Sequence, residues 1–289
     1  MKNIRARVTS SIVIILLGIV FAISAGFAFV NTELGRSYIV RNNATSVSRN
    51  LTAKQADKNN QEKASYDATK TRSITPKTLW AARKSPAKPI GRMSIPAVNI
   101  HNPVFKGFGL SNQNLSYGVA TVLPDREMGL VNNYVLAGHY MGQYGPAILD
   151  NLHKTKKGDW VYVTNMHRIY AYRINHYQPA VDPHDVQVED NQPGKRMITL
   201  ITCSDFNIAR YGYGKHRTIV QGELKAVYPA TKENLARYEL TDDVIPKHVR
   251  PAAKGSFLQN LTLHQIEAAF AIVWVLVIAA ALNKVWRHR

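Results

Sequence analysis

The chain is poor in cysteine: one residue, Cys203, in 289. A lone cysteine forms no internal disulfide, so it is either a small buried hydrophobe or a reactive thiol. Clustered Cys and His at zinc-finger spacing is also lacking, which excludes a structural zinc site. No glycine-rich phosphate loop occurs, since Gly212 and Gly214 around Tyr213 are too few to make one. Acidic residues are scarce too, 19 against 37 Lys and Arg, for a net charge of +18. Such a balance suits an anionic partner, either nucleic acid or an anionic membrane or wall surface, or serves solubility alone. The chain lacks the signatures of nucleic-acid modules, and no nucleic-acid partner is expected.

What the chain has instead is two long apolar runs. Residues 12–30 carry a single polar member, Ser24, and are long enough to cross a bilayer. Residues 266–282 form the second run, interrupted only by Glu267, and reach the length of a span, 263–282, if the helix extends to Leu263. The alternatives are a cleavable signal peptide for the first and a buried core helix for the second. Lys2, Arg5 and Arg7 precede the first run, and Lys284, Arg287 and Arg289 follow the second. The positive-inside rule then places both termini, 1–11 and 283–289, in the cytoplasm and everything between outside the cell membrane.

Between the spans the composition divides into three. Residues 31–89 are basic, with eleven Lys and Arg against three acidic residues over 41–88. Few large apolar residues occur there, so this segment reads as a basic extracellular linker without a core. Residues 90–225 carry short alternating runs separated by turn residues. Strands are predicted at 91–95, 133–138, 160–164, 169–177, 196–202 and 218–224, with two weaker ones at 100–105 and 119–122. Short helical turns are predicted at 112–117 and 148–152, and a hairpin loop at 165–168. Closely spaced strands without long alternating helices argue for a mainly β, closed or nearly closed barrel. Residues 226–262 are polar, with Pro229, Pro246 and Pro251, and read as a second tether.

Cys203 ends one predicted strand and Arg217 opens the next. If the two strands pair as an antiparallel hairpin, thiol and guanidinium meet at one edge of the barrel. A nearby cation favours thiolate, the nucleophilic form, and can also donate to an oxyanion. A cysteine nucleophile needs a proton carrier, which is usually His. Of ten His, His139 ends the strand Tyr134–Gly138 and stands at a rim. His153, His167, His176 and His184 fall in loops or beside charged residues.

These residues carry a family resemblance. Thr199, Leu200, Ile201, Thr202 and Cys203, followed by Arg217, Ile219, Val220, Gly222, Glu223 and Leu224, resemble the signature of the sortases, cell-wall transpeptidases of Gram-positive bacteria. Upstream, Ile90 to Pro96, Pro103 to Gly107 and Asn132 to His139 extend the similarity across the whole predicted barrel. The resemblance implies an eight-stranded sortase-type β-barrel with Cys203 as nucleophile, His139 as general acid/base and Arg217 as oxyanion stabiliser. It also implies that Ala137, Ile201 and Thr202 flank or line a substrate groove walled by 181–193. The strand motifs look most like class A. That type implies a Leu-Pro-x-Thr-Gly sorting signal on secreted proteins, cut between Thr and Gly, with lipid II or another peptidoglycan amine as acceptor. The second span is atypical for class A and leans towards class C pilin polymerases, although 31–89 lacks the Asp-Pro-aromatic lid of that class. A third reading is a non-catalytic two-span protein that binds wall polymer. Some class A members bind calcium, but only Asp125 and Glu127 precede the His139 strand, so no metal and no cofactor is expected.

Overall fold

Eight runs rich in β-branched and aromatic residues pair edge to edge in the computed structural model, which describes residues 2–85, 87–109, 113–143, 147–242 and 263–287. They are β1 (Pro89–Ile95), β2 (Ile100–Phe105), β3 (Val119–Thr121), β4 (Asn133–Ala137), β5 (Trp160–Thr164), β6 (Arg168–Val181), β7 (Met197–Cys203) and β8 (Arg217–Pro229). The order β1-β2-β3-β4-β7-β8-β6-β5, with β5 bonded back to β1, closes a barrel and leaves no free edge. All eight predicted strands are present, and β5 and β6 are joined at 165–167, within the predicted hairpin loop. Of the two predicted helical turns, the first is a 3-10 turn at Asn114–Ser116, with residue 112 outside the described residues. The second is a turn that runs on into a 3-10 helix at Leu152–Lys154.

Two of the pairings are parallel, β2 with β3 and β4 with β7. The second of these sets up the site. Parallel pairing brings the C-terminal ends of β4 and β7 to the same rim, and antiparallel β8 starts there. Inside the barrel, alternate residues such as Ile95, Leu136, Val163, Tyr172, Ile198, Leu200 and Val220 form one apolar core. Leu149 and Leu152 fill it from the turn that follows β4.

The long N-terminal helix α1 (Lys2–Val30) and the C-terminal α7 (Leu263–Arg287) are long and apolar enough to cross a membrane, over Ile4–Val30 and Glu267–Arg287. They pack together: the Trp274 indole N–H donates to the Gly18 carbonyl at 2.9 Å and its ring stacks on Phe21. Trp286 donates to Ser11 Oγ at 3.2 Å.

The segment read as a coreless linker is a correction. It holds α2 (Glu33–Ser48), α3 (Ala53–Asn60) and α4 (Pro76–Ala82), and buries Tyr38, Val40, Ala56, Leu79 and Ala82. These apolar residues are too few to pack on each other, but the barrel wall supplies the other half of the contact. Each helix starts on a threonine cap: Thr32, Thr52 in a capping box with Gln55, and Thr75 before Pro76. The predicted second tether is corrected in the same way over 226–242, while 243–262 lie outside the described residues. β8 runs on to Pro229, and after α6 (Lys232–Arg237) the ring of Tyr238 stacks on Tyr162 and Tyr228. Leu240 is buried, and Asp242 pairs with Arg92 at 2.7 Å.

Candidate active site

The register of β7 with β8 places Cys203 directly opposite Arg217, as the hairpin argument required. The next pair inward, Thr202 with Thr218, is buried. Ser204 locks the strand ends. Its N–H donates to the His216 carbonyl at 3.1 Å, and its hydroxyl donates to the Pro179 carbonyl and shares a hydrogen bond with Thr218. The loop between the strands is folded rather than merely long. A 3-10 turn at Asp205–Asn207 leads into α5 (Ile208–Tyr211), and the Asp205 carboxylate accepts the Gly214 N–H. Arg217 Nη1 donates to the carbonyls of Gly214 at 3.0 Å and His216 at 3.1 Å. Among the described residues, Nη2 and Nε of the guanidinium make no hydrogen bond and remain available to a ligand.

His139 reaches the same rim from β4. The Gly138 N–H donates to the Ile201 carbonyl at 3.0 Å, which continues the parallel ladder one residue past the strand. Only glycine fits at 138, because a Cβ there would lie 2.7 Å from Ile148 and 3.0 Å from Leu149. Beyond His139 the chain wraps around the buried Asp150 carboxylate, which accepts the N–H groups of Met141 and Ala147. Burial lowers the His139 imidazole to about 4, and the Arg217 charge pushes in the same direction. It is therefore neutral at neutral pH.

Burial raises the Cys203 thiol above its ordinary value. Arg217 pulls it down and Asp205 adds to the rise. The Arg217 effect has the direction expected from the sequence, but burial is the larger effect and sets the net rise. The site at rest therefore holds a thiol and a neutral imidazole, a correction to the expected thiolate.

Strand alternation sorts the three residues expected at the groove. Ala137 and Ile201 are register partners, both half-buried, and Ile201 shares the outer face of β7 with Cys203. Thr202 is 3% exposed and alternates to the inner face with Leu200, so its side chain points away from the face that carries Ile201 and Cys203. At the far end of that outer face, Asn133 Nδ2 donates to the carbonyls of Val188 and Asp190, and Asn133 N–H to Asn191 Oδ1. Thr199 Oγ1 donates to Asn133 Oδ1 at 2.7 Å, and Gln221 Nε2 donates to both Val188 O and Thr199 Oγ1. This network straps the β6–β7 loop over the end of the face distant from Cys203. It was missed in the sequence, although Asn133 and Thr199 lie within the quoted motifs.

His153, set aside as a loop residue, stands beside the rim. Its ring stacks on Phe206 at 4.4 Å with an interplanar angle of 4°, and burial lowers it to about 4. Among the described residues no three His, Cys, Asp or Glu side chains are grouped to hold a metal ion.

The sequence profile of the Sortase domain matches residues 93–225, from β1 into β8. Sortase A of Streptococcus agalactiae serotype III (strain NEM316) is 38% identical over 194 residues, 65% of this chain and 77% of that protein. Sortase A of Listeria monocytogenes serovar 1/2a (strain ATCC BAA-679 / EGD-e) is 32% identical over 192 residues, 64% of this chain and 80% of that protein. A solved structure of Listeria monocytogenes sortase A aligns at 31% identity and a TM-score of 0.44, covering 52% of this chain and 96% of that one. With the Sortase domain matched from β1 into β8 and 38% identity over 77% of a Sortase A protein, the chain belongs to the sortase family of cysteine transpeptidases and is most like its class A members.

Proposed function

We propose that this sortase cuts a Leu-Pro-x-Thr-Gly-type signal between Thr and Gly and passes the acyl group to an amine of a peptidoglycan precursor, anchoring secreted proteins to the wall. The observation that carries this reading is the Cys203–Arg217 register pair at the rim that also presents His139. In the first step Cys203 Sγ attacks the Thr carbonyl carbon and its proton passes to His139 Nε2 or Nδ1. Nη2 and Nε of Arg217 donate to the oxyanion. The C–N bond breaks as His139 returns the proton to the leaving Gly amine, which leaves a thioester on Cys203. In the second step an acceptor amine attacks the thioester and gives up a proton to His139 as Cys203 leaves. Ala137 and Ile201 contact the signal beside the thiol, and the strapped β6–β7 loop walls its far end.

In this reading α1 and α7 span the cell membrane, both termini are cytoplasmic and the barrel is outside. The support is the basic flank on each cytoplasmic end and the antiparallel packing of the two helices through Trp274 and Gly18. The second span also keeps a pilin-polymerase reading in view, with a lysine side chain as acceptor.

Product analysis with a fluorogenic sorting-signal peptide and full-length protein in nanodiscs tests the proposal. Cys203→Ala is expected to abolish both cleavage and transfer while the melting curve is retained. Wild-type turnover by that variant would end the assignment. Supplying an oligoglycine amine beside a pilin-type lysine peptide separates the wall acceptor from the pilin acceptor.

A further inference from the structure

We propose that the β7–β8 loop is a membrane-contact surface, with Ile208 and Tyr213 seated in the headgroup region of the bilayer so that the catalytic rim faces the lipid. The inference rests on the two-span topology proposed above.

α1 ends at Val30 and α2 starts at Glu33, three residues on, a reach of at most about 11 Å. The turn between them is fixed. Thr32 caps α2, Arg36 Nη1 donates to the Asn31 carbonyl at 2.6 Å, and the Phe29 and Tyr38 rings approach to 6.4 Å. Gly35 lies so close that a Cβ on it would meet the Phe29 carbonyl at 2.1 Å. From this fixed corner the Glu33 carboxylate accepts the Gln143 N–H at 3.2 Å, and Gln143 Nε2 donates to the Phe206 carbonyl at 3.5 Å. One residue therefore bridges the membrane exit of α1 and the β7–β8 loop.

The sixteen residues of α2 span about 24 Å from that corner. At its far end the Ser48 carbonyl accepts Arg92 Nη2, and Asn50 N–H donates to Asp242. The Glu33 end of α2 is thus tied to the Cys203 rim and its Ser48 end to the opposite pole around Arg92, so the rim is the pole joined to the membrane exit of α1.

Ile208 is 53% exposed and Tyr213 70% exposed, although both are large and apolar-bodied. Arg210 and Lys215 flank them and are exposed, and the Arg210 guanidinium lies 5.4 Å from the Tyr211 ring centroid. Tyrosine with aliphatic and basic side chains is the composition that settles at a lipid–water interface, and the cations match anionic headgroups. The only carboxylate of the loop, Asp205, is turned inward to the Gly214 N–H.

The depth of the loop is measured in full-length protein carrying Cys203→Ala, so that a single new cysteine can be labelled. Tyr213→Cys with an environment-sensitive nitrobenzoxadiazole label, in nanodiscs of phosphatidylcholine and phosphatidylglycerol, is compared with Gln192→Cys on the exposed β6–β7 loop. Expected is a blue-shifted emission at 213 and quenching by brominated lipid severalfold stronger than at 192. Equal, water-like spectra and equal quenching at the two positions would overturn the proposal. This chain has no nucleophile, so the depth readout stands whether or not the proposed transfer chemistry does. In the active chain, Ile208→Ser with Tyr213→Ser should slow transfer to a glycyl-phosphatidylethanolamine amine by about fivefold to tenfold, while soluble triglycine is used within about twofold. An equal loss with both amines would also count against it.

Discussion

Replacing Arg217 with Gln separates the two things a cation at this rim can do. Cys203 and Arg217 are direct cross-strand partners, which sets their Cβ atoms about 5 Å apart. The guanidinium leans towards the carbonyls of Gly214 and His216. Taking roughly 7 Å from sulfur to charge and an effective dielectric of about 20–40 for a half-buried rim, the Coulomb term is about 1–2.5 kcal/mol. That corresponds to about one to two pH units on the thiol. The pH profile of Cys203 alkylation by iodoacetamide in full-length protein reads this directly, and the inflection of Arg217→Gln should lie that much higher. The His139 imidazole should rise as well, because it loses a repelling charge, and its ring proton resonance reports the change. Arg217→Lys keeps the charge, so its inflection should stay near the wild-type value. Its transfer rate should still fall, because a single ammonium lacks the planar fork. Loss of the oxyanion donors in Arg217→Gln should lower the transfer rate by about 10²–10³-fold. An alkylation inflection unmoved by Gln, or moved equally by Lys and Gln, would refute the electrostatic reasoning.

Three further outcomes are expected. His139 and His153 are lowered by burial from 6.5 to about 4, so the unfolded chain takes up protons at a higher pH than the folded one. Stability should therefore be lost as pH falls from about 6.5 towards 4, and His153→Gln should reduce the loss in urea midpoints compared at pH 7.5 and 4.5. Asp242→Asn leaves the buried Arg92 guanidinium without its counter-charge, for an expected loss of about 1–3 kcal/mol and a lower Tm. An unchanged Tm would show that the C-terminal arm adds nothing to the barrel. Thr199→Val removes a donor to Asn133 and an acceptor for Gln221. It should lower stability by about 1–2 kcal/mol and speed proteolysis within 182–196.

The strands were legible because each pairs a period of two with turn residues at its ends, and the 203–217 hairpin followed from two such runs with a loop between them. Parallel pairing of β4 with β7 was not legible, since nothing local in Asn133–Ala137 or Met197–Cys203 encodes a partner 64 residues away. That pairing is what brings His139 to Cys203. The helices of 33–82 were hidden for a different reason. Tyr38, Val40 and Leu79 are too sparse to form a core alone, and only the finished barrel offers a surface for them. The caps at Thr52 with Gln55 and at Thr75 before Pro76 were signals present in the sequence that charge counting passed over. The resting protonation state was not legible, because a sequence shows the charged neighbour of a thiol but not its burial.

That protonation state also indicates where Arg217 acts. Moving the proton from Cys203 to His139 creates a thiolate, which the guanidinium favours, and an imidazolium, which it opposes. The two effects have opposite signs, so they offset each other in the population of the ion pair. The balance changes once the sulfur attacks, because negative charge leaves Cys203 for the substrate oxygen. Nη2 and Nε, free of protein partners among the described residues, can then bond to that oxygen while Nη1 stays anchored to Gly214 and His216. Stabilisation that grows only as the tetrahedral intermediate forms raises the rate rather than the ground-state affinity. Burial, which keeps thiol and imidazole neutral at rest, keeps the dielectric low where that oxyanion develops.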